Sequence, residues 1–124
     1  MTAKIIEGTK VSPKVELNPT GNLTIQGRSI VEDTVAFYKP IIEWADELEC
    51  REMTVSVKLE YMNTSSSKQL LTVLKAIATN PRISSLYVKW YYEADDEDML
   101  DMGQDYESIL HVPFDFYELS VEEV

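Results

Sequence analysis

Basic residues are scarce: 11 lysines and arginines stand against 22 aspartates and glutamates in 124 residues, a formal net charge of −11. A surface of that sign is repelled by phosphate backbones and anionic lipid headgroups, so nucleic-acid and membrane partners are disfavoured and a basic protein patch is favoured. A blander account, in which the charge only keeps a small protein in solution, fits equally well. A single cysteine, Cys50, leaves no internal disulfide and no cysteine-based zinc site, as expected of a reducing compartment. The lone histidine, His111, excludes a histidine metal triad, and a histidine so close to Pro113 is most often a loop or packing residue. No apolar run approaches the ~20 residues needed to span a bilayer. The N-terminus has no apolar signal-peptide core, so no membrane insertion and a cytoplasmic location are expected.

What is present suffices for one core. Hydrophobic residues make up 44% of the chain, too much for a disordered tail, and the length suits a single α/β domain over residues 1–124. Val15 to Leu17 and Leu23 to Ile25 alternate around Asn18-Pro19-Thr20-Gly21, which predicts a β-hairpin whose second strand runs to about Ser29. Thr34 to Glu49 carries Phe37, Ile41, Trp44 and Leu48 on one helical face, with Pro40 kinking the helix or lying near its first turn. Met53 to Tyr61 alternates as a strand, with Val55, Val57, Leu59 and Tyr61 on one side. Leu70, Leu71, Leu74, Ile77 and Ala78 mark a second helix that Asn80-Pro81 stops. Leu86 to Tyr92 predicts a strand; Met99, Met102 and Tyr106 predict a short third helix; Pro113 to Leu119 predicts a closing strand. The order β-β-α-β-α-β-α-β implies a mixed sheet, antiparallel at the N-terminal hairpin and parallel through the βαβ units.

Several enzyme signatures fail. Gly21 to Gly27-Arg28-Ser29 has the wrong spacing for a phosphate-binding loop, and arginine stands where lysine is required. Ser65-Ser66-Ser67-Lys68 matches the S-x-x-K nucleophile motif without its companion motifs, in a chain too short for that fold. Asp95-Asp96-Glu97-Asp98 misses the EF-hand pattern, because Leu100 and Asp101 fall where a ligand and the glycine belong. Negative charge at a helix start explains that run more simply than a metal site. No catalytic residue, metal or cofactor is indicated.

The polar stretch Asn63-Thr64-Ser65-Ser66-Ser67 is different. It leaves the carboxyl end of a strand and enters a helix, where open α/β sheets present ligand sites. Its four successive hydroxyls exceed what one helix cap requires. Taken alone, the residues still favour a plain cap, and Ser66 with Gln69 has capping-box spacing. A phosphate there would add about 1.5–2 negative charges, and a helix N-terminus stabilises an anion by roughly 0.3–1 kcal/mol. Modification would therefore spare the fold and change the surface.

Gly27-Arg28-Ser29, Phe37-Tyr38-Lys39-Pro40 with Trp44, Tyr61-Met62-Asn63-Thr64-Ser65-Ser66-Ser67-Lys68, and Trp90-Tyr91-Tyr92-Glu93 with Asp96-Glu97-Asp98-Met99 together resemble the SiaC family of regulatory phosphoproteins. The likeness runs from about Val11 to Phe116 and departs at Ile30-Val31-Glu32-Asp33, where the family more often has an aromatic, a proline and Glu-Asn. It implies a STAS-like fold and a non-enzymatic protein in a partner-switching circuit. An anti-sigma-type protein kinase would phosphorylate Thr64, and a PP2C-type phosphatase would remove the phosphate. The unphosphorylated form would bind and activate an effector, a diguanylate cyclase in the best-known branch, promoting cyclic-di-GMP signalling and biofilm growth. Asn63, Ser65, Ser66 and Ser67 would shape the switch, with Lys68 in reach of the phosphate. Arg28, Tyr61, Asp96 and Asp98 are candidates for partner contact. Two rivals remain: an anti-anti-sigma factor controlling transcription, and a small-molecule or metal-binding domain built on the segment near Asp96.

Overall fold

In the computed structural model, residues 2–119 are described. The elements run β1 (Lys4–Ile6), β2 (Lys14–Asn18), β3 (Asn22–Ser29), α1 (Thr34–Glu47), β4 (Glu52–Met62), α2 (Thr64–Ala78), β5 (Ser85–Glu93), α3 (Glu97–Leu110) and β6 (Phe114–Leu119). The expected mixed sheet is present, with one strand more than the sequence suggests. β1 precedes the hairpin and pairs antiparallel with β2, as Ile5 opposite Glu16. Three residues are too few to show a period, so the sequence carries no signal for it. α3 is also longer than expected, at 14 residues.

In the sheet the strands lie in sequence order, β1-β2-β3-β4-β5-β6. β2 and β3 are antiparallel, and β3, β4, β5 and β6 pair in parallel. Gly21 ends the hairpin at a φ of 133°, and a Cβ there would run into the Glu52 carbonyl oxygen, so only glycine fits. Each crossover steps to the next strand in one direction. Right-handed connections therefore lay α1, α2 and α3 on the same face. The packing of α1 on α2 and of α2 on α3 agrees.

Burial follows from that one-sidedness. Leu23 and Ile25, Met53, Val55, Val57 and Leu59, and Leu86, Val88 and Trp90 are buried under the helices, while the residues between them reach solvent. Tyr38, Ile41, Trp44 and Leu48 meet them from α1 and its end, and Leu70, Val73, Leu74 and Ile77 from α2. α3 sits close: a Cβ on Gly103 would lie 2.7 Å from the Trp90 ring, and Trp90 Nε1 donates to the Met99 carbonyl at 2.9 Å. Pro40 lies inside α1 beyond its first turn. The bond it withholds would have gone to the carbonyl of Ala36; both residues are exposed, so water can take its place.

One strand expectation is corrected. Tyr61 does not share the buried face of Val55, Val57 and Leu59; it is 52% exposed. The register shifts between Gly27 and Arg28, so that Gly27 pairs with Leu59 and Arg28 with Tyr61, leaving Glu60 as an extra residue on β4. A bulge of that kind resets the alternation: Tyr61 turns outward and Met62 inward.

Candidate functional site

The bulge delivers the chain to α2. Asn63 is the helix N-cap, with its Oδ1 accepting from the Ser66 amide at 2.9 Å. Thr64 is therefore the first residue of the helix, and Thr64 to Ser67 form its opening turn. This corrects the capping-box alternative, since Ser66 lies inside the helix. Asn63 is anchored twice more: its amide donates to the Ser29 carbonyl at 2.9 Å and its Nδ2 to the Val31 carbonyl at 3.3 Å. One side chain thus ties α2 to the segment after β3.

The four hydroxyls have four different surroundings. Ser66 is fully buried, and its Oγ accepts from Ser29 Oγ at 2.8 Å. Ser29 is buried too and lies 2.8 Å from the Tyr38 hydroxyl. Because Ser29 gives its proton to Ser66, Tyr38 donates to Ser29, and a three-hydroxyl chain links β3, α1 and α2 beneath the turn. Burial pushes the Tyr38 hydroxyl above its ordinary pKa, which keeps the donor protonated. Ser67 Oγ donates back to the Thr64 carbonyl at 2.7 Å, and the Ser67 carbonyl accepts from the Tyr106 hydroxyl of α3. Ser65 is exposed and reaches Asn63 Oδ1 only at 3.4 Å. Thr64 is exposed, and its hydroxyl has no hydrogen-bond partner among the described residues. The turn presents Thr64 and holds the others.

Lys68 lies one turn further along α2 and is exposed, as is Arg28 on β3, and neither forms an ion pair among the described residues. Arg28 is the register partner of Tyr61. Tyr61, Asp96 and Asp98 come together around a pocket of about 230 Å³, with Met62, Met99 and Met102 completing its lining. The structure therefore joins three of the four candidate partner-contact residues around one pocket, whose Met62 lies two positions before Thr64.

The acidic run is accounted for structurally. Asp96 caps α3, its Oδ1 accepting from the Met99 amide at 3.0 Å, and Glu97 and Asp98 occupy the first turn. Among the described residues no group of three or more His, Cys, Asp or Glu side chains is placed to hold a metal. His111 ends α3 in a left-handed conformation, φ 55°, and its amide donates to the Glu107 carbonyl. No helix among the described residues is long and apolar enough to cross a membrane.

Sequence reasoning missed Tyr38 and Tyr106 as parts of the site. Tyr38 lies outside the face of Phe37, Ile41, Trp44 and Leu48 that the sequence predicts for α1, and Tyr106 serves there only to mark α3, so neither hydroxyl carries a signal. Met99 and Met102 likewise serve in the sequence only to mark α3; in the structure Met99 is buried and Met102 stays partly exposed.

A six-stranded mixed sheet with its three helices on one face carries a presented hydroxyl turn at the carboxyl end of β4, which defines a one-sided α/β domain. The family is narrower than the class. The profile described as SiaC family regulatory phosphoprotein matches residues 6–119, and the chain belongs to that family. An uncharacterised protein of Pseudomonas aeruginosa (strain UCBPP-PA14) is 23% identical over 114 residues, covering 88% of this chain and 90% of the relative. Among solved structures, a chain of diguanylate cyclase SiaD in complex with its activator SiaC, from Pseudomonas aeruginosa, superposes with a TM-score of 0.81 at 22% identity, covering 94% of this chain and 99% of that one. Apo-SiaC of the same organism superposes at 0.79, with the same identity and coverage. At that identity the likeness establishes the fold.

Proposed function

We propose that this protein is a non-enzymatic phosphoregulator whose acceptor is Thr64. The observation that carries this reading is the unequal fate of the four hydroxyls: Ser66 is buried, Ser67 bonds its own helix, Ser65 leans on the cap, and Thr64 alone is exposed and unengaged among the described residues. Its place in the first turn of α2 favours an anion through the helix dipole. A phosphate there leaves the buried hydroxyl chain untouched and places about 1.5–2 negative charges on the presented edge.

In this reading an anti-sigma-type kinase writes the phosphate and a PP2C-type phosphatase removes it. The unphosphorylated protein binds and activates a diguanylate cyclase. Membership of a regulatory phosphoprotein family supports this, as does a solved relative that is itself the activator of such a cyclase. Lys68, at the fourth position from Thr64, is the cation nearest in sequence to a phosphate on this helix. The test is capture from lysate of the native host with the dephosphorylated and the phosphorylated protein as baits. A diguanylate cyclase is expected on the first and not on the second. An anti-sigma factor dominating the first catch would replace the cyclase with transcriptional control, and equal catches would remove the switch.

A further inference from the structure

The pocket beside Thr64 has a lining of three chemical kinds. Met62, Met99 and Met102 supply flexible thioether stems, Tyr61 an aromatic ring that is 52% exposed, and Asp96 and Asp98 carboxylates. Only Asp96 Oδ1 is engaged, by the Met99 amide, and neither Asp96 Oδ2 nor the Asp98 carboxylate has a hydrogen bond or ion pair among the described residues. At about 230 Å³ the space suits one long side chain rather than a helix face or a cofactor. The surroundings set its charge: α3 carries five acids, Glu97, Asp98, Asp101, Asp105 and Glu107, and no lysine or arginine.

We infer that this pocket is an anchor site for a single arginine of a protein partner. Each part of the lining matches a part of that side chain. The methylene stem lies along the methionines, which adapt to whatever shape enters. The guanidinium plane faces the Tyr61 ring, a cation–π arrangement that arginine adopts more often than lysine. Its N–H fork meets the free carboxylate oxygens of Asp96 and Asp98. A net charge of −11 attracts a basic partner to the molecule, and the five acids of α3 favour its approach to this edge. The inference rests on the regulatory reading in one respect: the occupant belongs to a partner that Thr64 controls, because Met62 joins the pocket to the turn.

The test uses the full-length protein with ¹³C-labelled methionine methyls and two capped peptides identical except for a central arginine or glutamine. Arginine peptide should shift the Met99 and Met102 methyl signals, while Met53, buried in the sheet, stays in place. The glutamine peptide should bind about tenfold or more weakly, as expected when an interface anchor is lost. Asp96→Asn with Asp98→Asn should abolish the preference; asparagine still caps a helix, so α3 keeps its start. Asp98→Asn alone, which leaves the cap untouched, should weaken it. Equal binding of the two peptides, an undiminished preference in these variants, or no shift at millimolar peptide would overturn the inference. None of these results bears on phosphorylation of Thr64, which is read separately by mass.

Discussion

Ser66 carries a hydroxyl that solvent does not reach, held by Ser29, which is held in turn by Tyr38. Removing it strands a buried donor. Ser66→Ala should therefore lower stability by roughly 1–2 kcal/mol, the usual cost of an unsatisfied buried polar group, with a fall of several degrees in Tm by calorimetry. The same variant should still be phosphorylated at Thr64, since its loss disturbs the floor of the turn and not the acceptor. Tyr38 and Tyr106 add a pH signature. Burial raises the pKa of both hydroxyls above the ordinary 10.0. The unfolded chain loses these protons first as pH rises past that value, so the native state binds more protons and its stability declines. Their stabilising effect is complete below that pH and is lost through the alkaline range. Urea titrations from pH 8 to 11 should show the decline, and Tyr38→Phe with Tyr106→Phe should flatten it.

At the scale of elements, the cap of α2 is the joint between strand and switch. The Asn63 side chain uses Oδ1 and Nδ2 together, so Asn63→Ala should cost about 1–2 kcal/mol and speed amide exchange at Ser66 and Ser67. Unchanged exchange there would show that the cap does not order the turn. Gly103→Ala should be costly for a packing reason, because a methyl there meets Trp90 and Phe116; roughly 1–3 kcal/mol is expected from thermal melts. Elements with several turns or a sustained period were legible in the sequence: the hairpin, β4, the three helices and the parallel strands. β1 was not, since three residues paired at an edge owe their strand to β2 and not to their own pattern. The outward turn of Tyr61 was not legible either. A bulge is a property of two strands in register, and alternation along one strand continues straight through it. Within the site, the position of the hydroxyl run was legible and its division was not: that Ser66 is buried while Thr64 is exposed depends on where the cap falls, on Asn63 and not on a serine.

Over the whole molecule, charge and fold are separable. The core under the helices and the buried hydroxyl chain carry stability, while the excess of acids lies on surfaces such as the outer side of α3. A phosphate on Thr64 adds to an already negative molecule without entering the core. The phosphorylated and unphosphorylated proteins should therefore melt within about 1 kcal/mol of each other, as helix N-terminal anions do. Their partner affinities should differ far more, as the proposed switch requires: it would act between molecules and leave the fold alone. All of this depends on the phosphate being at Thr64. The most direct measurement is phosphosite mapping by mass spectrometry on protein purified from its native host, wild type beside Thr64→Ala. The account predicts a single phosphate on Thr64 in the wild type and none on the variant; phosphate persisting on the variant, or never found on the wild type, would contradict it.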